Sequence, residues 1–429
     1  MKVAILGNMN NNGFAIMRYL LDQGVDVDLI LFDSDYLKGS EHFGIEKDTW
    51  YKEKYKKNVK NINISIGPGA LLSNTFFGFL IATCVYIVKS IKKSGNPKLW
   101  KPLNAWRWSF LKKELSQYDI LIGSSVFPSV LNSIQRNVTI FIPYAVGCEY
   151  VNDEYFYPYV KSKNIFISKI ANRIRNSQIS GIQNAIFVMT SDRGVTSKVL
   201  SSIGVEYIFG YLPIVYVENV ISDIYPKALS SVIREINKYD IVMMSHSRHF
   251  WVNTEFFDKN IWSNISKNNN WIIEAFSDFK QKNSNSKALL VFFEYGKDVV
   301  KSKELCSKLN IEKNVLWLPV MPRKNILELI KHIDIGIGEF YKNPTAMGGA
   351  QLEYLSKGKP LISGPMDASI VSPILQCNNK KEIYKSMSIL SKNVKLSEEI
   401  SLKSKEWFDR EAGIGAAGRI IKLMNSISN

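Results

Sequence analysis

Short, continuously apolar runs alternate with segments of helical spacing along most of this 429-residue chain, and few folds tolerate that pattern. KVAILG comes first, followed by the loop NMNNNG and by FAIMRYLLDQG, whose apolar residues recur at helical spacing; VDVDLILF follows as a second apolar run. Runs apolar throughout, rather than alternating with polar residues, belong to strands buried on both faces of a helix-covered parallel sheet. Strand, loop, helix and strand in that order make a βαβ unit. The alternation continues through DILIGSS (119–125), VTIFIPY (138–144), AIFVMTS (185–191) and EYIFGYLP (206–213).

A second series begins after the Pro- and Ser-containing stretch around 222–236. Its strands are DIVMMSHSR (240–248), KALLVFFEYG (287–296), NVLWLPV (314–320), DIGIGEF (334–340) and KPLISGP (359–365). NNWIIEAFSDFK (269–280), KNILELIKHI (324–333) and AQLEYLSKG read as the helices between them. The length exceeds what one compact core serves. The expectation is therefore an α/β protein of two Rossmann-like domains facing an interdomain cleft. Their bounds are read as 1–215 and 216–410, with a C-terminal helical segment, 411–429, packed after the second domain.

Composition narrows the function classes. A hydrophobic fraction of 46% and an aromatic fraction of 12% supply packed interiors and argue against disorder. Cys84, Cys148, Cys306 and Cys377 are scattered without a CxxC pair, which fits a reducing compartment and opposes a disulfide or zinc-ribbon framework. MKVAILGNMN holds too short an apolar run for a signal peptide and reads as a strand. The net charge of +16 favours an anionic partner (nucleic acid, phosphorylated small molecules or an acidic membrane face), although a lysine-rich solubilising surface accounts for much of it. Nucleic acid is not the expected partner.

One segment breaks the alternation. FFGFLIATCVYIV (76–88) is an uncharged run of 13 residues followed by KSIKK and by WKPLNAWRW at 100–108. It is shorter than the ~20 apolar residues that a membrane span requires. Trp, Lys and Arg interleaved beside an apolar helix compose an interfacial anchor. The alternative is a buried core helix followed by a basic loop.

The loop GNMNNNG (7–13) lies where a nucleotide-binding turn would be, ending at Gly13. Counted from Gly7, Met9 and Asn12 hold the second and third glycine positions of G-x-G-x-x-G, so a dinucleotide-dependent dehydrogenase is not expected. Asp33 and Asp35 read either as strand-end acids or as a D-x-D metal motif; the expectation is no metal. Nucleophile-elbow, Walker and zincin motifs are absent. His42, His246, His249 and His332 show no ligand spacing.

The second series carries more chemistry. SHSRHFW ends its first strand, and Lys267 precedes the next helix. Ligands of open α/β sheets bind at carboxyl ends of strands. Arg248 and Lys267 there, opposite a helix N-terminus at Thr345 to Gly349, form a cationic pocket for a diphosphate. Gly348 and Gly349 let phosphate oxygens reach backbone N–H groups. In NPTAMGGAQLEYLSKGKPLISGP (343–365) Glu353 is the one carboxylate, and it is expected to face a ligand hydroxyl, most plausibly a ribose, rather than the core.

Residues 240–367 resemble the donor domain of retaining GT-B glycosyltransferases of glycosyltransferase family 4. Arg248 matches the arginine of the family's G-R segment and Lys267 its K-G lysine. TAMGGAQLE followed by YLSKGKPLIS matches the E-x7-E segment and its trailing A-x-G-x-P-V-I. Thr345 stands where the first Glu of that pair belongs, and Asn268 replaces the glycine after the lysine. FIPYAVGCEY (141–150) resembles the family's donor-facing G-S-D segment, which puts Glu149 on the Asp position.

The resemblance implies a cytoplasmic retaining glycosyltransferase using a nucleotide-diphosphate sugar as donor substrate, with no further cofactor. Arg248, Lys267 and Glu149 are then catalytic candidates. Gly13, Thr345, Gly348, Gly349 and Glu353 are the binding candidates beside Arg248 and Lys267. The apolar, Trp-rich segment fits a saccharide or lipid-linked acceptor, peripheral contact with an anionic membrane, and cell-surface polysaccharide assembly. A noncatalytic sugar-nucleotide-binding subunit and a nonhydrolysing nucleotide-sugar epimerase remain the alternatives.

Overall fold

The computed structural model describes residues 1–32, 44–73, 75–92, 100–153, 156–219, 224–252, 265–344, 346–367 and 371–428. Asp33, Asp35 and Thr345 lie outside them. The chain divides into two compact units: residues 1–46, 51–216 and 414–429 form unit 1, and residues 47–50 and 217–413 form unit 2.

Among the described residues, unit 1 is built on seven parallel strands. They are β1 (Lys2–Leu6), β2 (Asp26–Phe32), β3 (Val59–Ile62), β4 (Ile120–Gly123), β5 (Ile140–Phe141), β6 (Phe187–Thr190) and β7 (Ile208–Phe209), in the order β3-β2-β1-β4-β5-β6-β7. Burial on both faces is visible within β1 itself. Val3 and Ile5 join one core cluster with Phe14, Met17 and Leu20, while Ala4 and Leu6 join another with Leu121, Val130 and Phe141. A strand with both faces covered has no polar alternation to display, which is why it reads as a solid apolar run.

Among the described residues, unit 2 has six parallel strands: β8 (Ile241–Ser245), β9 (Ala288–Phe293), β10 (Val315–Leu318), β11 (Ile335–Ile337), β12 (Leu361–Ser363) and β13 (Leu375–Gln376). Their order is β10-β9-β8-β11-β12-β13. Both sheets reverse direction of winding once, between β1 and β4 and between β8 and β11. At such a switch point neighbouring crossover loops run apart and leave a crevice at the carboxyl ends of the strands.

One feature differs from expectation, and the core-helix alternative for 76–88 is not what the structure shows. The helix Ile414–Ser428 belongs to unit 1 and does not pack after the second domain. Ala416, Ala417, Ile420 and Met424 recur at helical spacing and are fully buried; Ile420 and Met424 join the cluster formed by Phe14, Met17 and Leu20. The helix Phe76–Ile91 is not a core helix. Only Gly78 and Ala82 are buried, and Phe76, Phe77, Leu80, Ile87, Val88 and Ile91 are all exposed.

Candidate functional site

The switch point of unit 2 gathers the basic residues. Arg248 follows β8 on a loop held from below by His249, which is fully buried between the rings of Phe292 and Trp317. His249 N–H donates to the Tyr295 carbonyl at 2.7 Å, and its Nδ1 lies 2.9 Å from Ser302 Oγ. Asp298 accepts the amides of Trp251 and Val252 at 2.7 and 2.9 Å. Gly296, at φ +111°, passes so close that a Cβ there would meet the His249 backbone nitrogen at 2.6 Å. These contacts fix the backbone and leave the Arg248 side chain exposed above Phe250, its guanidinium carbon 5.6 Å from the ring centre.

Burial pushes the His249 imidazole down to about 4. The folded unit therefore refuses a proton that the unfolded chain accepts near the ordinary value of 6.5. The stabilising effect is complete above pH 6.5 and is lost as pH falls toward 4. Between pH 7 and pH 5 the protein is expected to lose about 2 kcal/mol from this residue alone. His249→Phe, which keeps the packing between the rings, is expected to remove that part of the slope in denaturant titrations at the two pH values. An unchanged slope would reject the assignment.

Lys267 sits at the convergence of three loops. Its N–H donates to the Phe250 carbonyl at 2.8 Å, and its own carbonyl accepts from Phe340 N–H at 3.3 Å. Asn268 adopts φ 47° and ψ 42°, the left-handed conformation, and its amide donates to the Phe340 carbonyl at 2.6 Å. Asparagine is among the few side chains that enter this region readily. The position therefore calls for positive φ, which asparagine and glycine alike supply. The Lys267 ammonium is ion-paired with Glu339, at the end of β11, and Tyr341 Oη donates to the other Glu339 oxygen at 2.6 Å. Burial would raise the Glu339 carboxyl, but Lys267, Tyr341 and the nearby Arg248 outweigh it and hold it below the ordinary value. With Arg248 and Lys267 against Glu339, the cluster carries one net positive charge.

Glu353 lies on the helix Gly349–Ser356 and is buried, with 6% of its side chain exposed. Arg323 Nε donates to Oε1 at 2.9 Å, and His246 Nε2 stands 2.7 Å from Oε2. His246 Nδ1 is 2.7 Å from Tyr354 Oη, which also donates to the Met244 carbonyl at 2.7 Å. Arg323 reaches Asp48 Oδ1 at 3.6 Å as well. Burial would raise the Glu353 carboxyl, yet the His246 hydrogen bond and the Arg323 charge keep it below the ordinary value. Glu353 thus has partners within unit 2 on both oxygens, whereas the sequence alone suggests a carboxylate open to a ligand.

The turn before this helix is open. A Cβ added to Gly349 would meet only Arg323 Nη2, at 3.8 Å, and one on Gly348 only Gln351 Oε1, at 3.1 Å. Internal packing does not demand glycine at either position. Gln351 Oε1 accepts the Gly348 amide at 2.7 Å, as an N3 side chain does in a capping box. The far end closes on Gly358 at φ +62°, with Gly358 N–H donating to Leu355 O at 3.0 Å and Lys359 N–H to Tyr354 O at 3.1 Å, a Schellman turn.

In unit 1 the loop after β1 holds Asn10 and Asn11 at positive φ. Asn8 Oδ1 accepts the Phe14 amide at 2.9 Å, occupying a helix-terminal N–H that a bound phosphate would use. Gly13 is needed for packing: a Cβ there would meet the Gly7 carbonyl at 2.5 Å and Leu29 at 3.1 Å. Glycine at 13 thus answers to close helix-on-strand contact. Glu149 is buried after β5, in a loop where Gly147, Cys148 and Tyr150 all have positive φ. Its Oε1 accepts the Tyr144 amide at 2.7 Å, and Oε2 is buried without a hydrogen bond. Burial pushes its carboxyl up to about 7. Asn10 donates to the Tyr144 hydroxyl, tying this loop to the one after β1.

Glu339, Arg323 and His246 escape the sequence reading. Glu339 had a signal, a lone acid at the end of an apolar strand in the same sheet as Arg248. Arg323 and His246 had none, since their partner Glu353 is 30 and 107 residues away.

Residues 264–385 match the family model described as Glycosyl transferases group 1. This span contains Lys267, Arg323, Glu339, Gly348, Gly349 and Glu353. No curated protein is significantly similar to the chain in sequence. Among solved structures, HepE of Anabaena in complex with UDP and glucose is 12% identical, with 99% of each chain covered and a TM-score of 0.57. Sucrose-phosphate synthase of Thermosynechococcus elongatus is 10% identical over all of this chain and 99% of its own, with a TM-score of 0.56. WaaG, a glycosyltransferase involved in lipopolysaccharide biosynthesis, is 13% identical over 97% and 98% of the two chains, with a TM-score of 0.50. At these identities the likeness establishes the shared two-sheet GT-B fold.

Proposed function

We propose that this chain, a GT-B glycosyltransferase of group 1 and hence a transferase of class EC 2.4, moves a sugar from a nucleotide-diphosphate donor to a saccharide or lipid-linked acceptor, retaining the anomeric configuration. The observation that carries the reading is the exposed Arg248 beside the Lys267–Glu339 pair at the switch point of unit 2. Breaking the anomeric C–O bond places negative charge on the departing diphosphate. Arg248 and Lys267 meet that charge, with Lys267 exchanging its bond to Glu339 for one to a phosphate oxygen. The Gly349 amide lies on an open turn, while the Gly348 amide exchanges its bond to Gln351 Oε1 for one to a phosphate oxygen. One well-placed donor of this kind contributes about 3 kcal/mol to the transition state.

Glu353 accepts the ribose hydroxyls through lone pairs left over from Arg323 and His246. In unit 1, Glu149 has a carboxyl near neutrality and an unpartnered oxygen, a combination suited to proton exchange with the acceptor hydroxyl. The complex of HepE with UDP makes uridine the first base to try. WaaG supports cell-surface polysaccharide assembly as the setting. The exposed apolar helix Phe76–Ile91 supports peripheral contact with an anionic membrane, where a lipid-linked acceptor would be met.

Thermal unfolding against a panel of nucleotide-sugars tests the donor. A donor at 100 Kd is expected to add about 2.7 kcal/mol of stability. The same donor should be slowly hydrolysed, with the released sugar first appearing in the donor's anomeric form by NMR. Activity should withstand EDTA. Loss with EDTA and recovery with manganese would replace the cationic mechanism by a metal-assisted one. Donor binding without hydrolysis or transfer to any acceptor would instead favour a sugar-nucleotide-binding subunit.

A further inference from the structure

Exposed large apolar side chains concentrate on one part of unit 1. On the helix Phe76–Ile91, the exposed residues Phe76, Phe77, Leu80, Ile87, Val88 and Ile91 follow one another at helical spacing, so they form a single stripe. At 1.5 Å per residue that stripe is about 22 Å long. The opposite face, with Gly78 and Ala82, packs inward. This is the reverse of a surface helix in water, which turns its apolar stripe to the core.

A second element shares the property. The helix Ile165–Gln183 begins with Ile165, Phe166 and Ile167, exposed by 71%, 59% and 41%, at a point where a helix start in water would carry polar residues. Asn164 caps it, accepting the amides of Phe166 and Ile167 at 3.0 and 3.1 Å, so the three side chains stand on an ordered turn. The two helices are tied together: Arg173 donates to the hydroxyl of Thr75, the residue capping the first helix. Arg173 lies eight residues beyond Ile165, about 12 Å along the axis. The apolar first turn and the Phe76 end of the other helix therefore belong to the same part of unit 1.

The charge around them has one sign. Residues 54–113 and 155–191 contain no Asp or Glu. Lys89, Lys92, Lys101 and Arg107 accompany the first helix, and Lys161, Lys163 and Lys169 flank the second. A protein partner with an apolar groove explains the stripe but leaves two acid-free basic stretches without a purpose. An anionic bilayer satisfies both.

We propose that the first turn of Ile165–Gln183 is a second membrane anchor, which inserts into an anionic lipid surface together with the stripe of Phe76–Ile91. This deepens the peripheral-membrane reading above and does not depend on the donor chemistry. Insertion at two points fixes the orientation of unit 1 on the surface, whereas one helix leaves it free to rotate about that helix. Apolar burial supplies affinity, and each lysine near the headgroups adds about 1 kcal/mol that salt screens.

The experiment uses the full chain and sedimentation with vesicles of phosphatidylcholine alone or mixed with phosphatidylglycerol. Wild-type protein is expected to sediment with the mixed vesicles, and partitioning should fall in salt without vanishing. Ile165→Ser with Phe166→Ser and Ile167→Ser should weaken partitioning at least about tenfold, the loss expected from one or two apolar side chains no longer buried. The stripe of Phe76–Ile91 is intact in that variant, and its thermal unfolding and nucleotide binding should match wild type because the replaced side chains are exposed. Lys161→Gln with Lys163→Gln and Lys169→Gln provides a second probe, lowering binding to mixed vesicles alone. Wild-type partitioning by the triple serine variant would overturn the proposal. So would wild-type protein that ignores every vesicle, and a concentration-dependent dimer abolished by the same substitutions would then assign the face to a second copy of the chain. Nucleotide binding, measured in parallel, reports on the donor reading separately.

Discussion

Arg248→Ala is expected to lower turnover by roughly 100-fold or more while changing the stability of unit 2 little. The two halves of that statement have separate causes. The leaving diphosphate gains charge as the anomeric bond breaks, so a cation placed there acts more strongly in the transition state than in the bound donor. Its removal should therefore appear in kcat as well as in kcat/KM. Arg248 is exposed, so its loss leaves no buried group stranded. Lys267→Ala should lower turnover as much, but it also leaves the largely buried Glu339, 13% exposed, without its cation, an effect of up to about 3–5 kcal/mol. Lys267→Ala with Glu339→Gln separates the two, since stability should return while turnover does not. Steady-state kinetics with the donor found by thermal shift, run beside denaturant titrations, makes the comparison. A folded Arg248→Ala protein with wild-type kcat would remove the leaving-group role.

The legibility of this molecule follows from what each residue answers to. Strands buried on both faces are apolar throughout, and β1, β4, β8, β9, β11 and β12 stand out for that reason, as does the apolar edge strand β10. The edge strands β3 and β13 do not. β3 reads VKNI with one buried residue, and β13 is two residues long with an exposed glutamine. A strand with one neighbour is half in water, and its composition approaches that of a loop. The donor site divides in the same way. Arg248, Lys267 and the Gly348–Gly349 turn are set by local geometry at strand ends, so position along the chain reveals them. The group that holds Glu353 is assembled from Asp48, His246 and Arg323, which approach only once the sheet has formed. An isolated acid in an apolar helix therefore reads as ligand-facing, although its first partners are protein side chains. The helix Phe76–Ile91 shows the converse difficulty: periodicity defines a stripe but cannot say which side of it meets water.

Glu353→Gln is expected to weaken nucleotide binding by about 1.5–3 kcal/mol, the loss of charge-assisted bonds to a ribose. The pairing with Arg323 and His246 adds a second expected effect, on stability. An amide keeps the shape but not the charge, which leaves the Arg323 guanidinium, 14% exposed, facing a neutral group in place of a carboxylate. Removing one member of a buried pair typically costs about 3–5 kcal/mol. The pH dependence follows from the direction of the shift. Because the folded carboxyl lies below the ordinary value of 4.5, its contribution is complete above that pH and is lost as the pH falls through the folded value. Acid should therefore destabilise wild-type protein below pH 4.5 more than it does Glu353→Gln. Arg323→Met with Glu353→Leu tests the pair as a unit, since apolar replacement of a whole buried pair is often neutral for stability. If that double variant folds as well as wild type yet binds no nucleotide, Glu353 or Arg323 acts on the ligand. If it folds and binds the nucleotide normally, the pair is an internal strut, and the ribose must be held elsewhere on the switch-point loops.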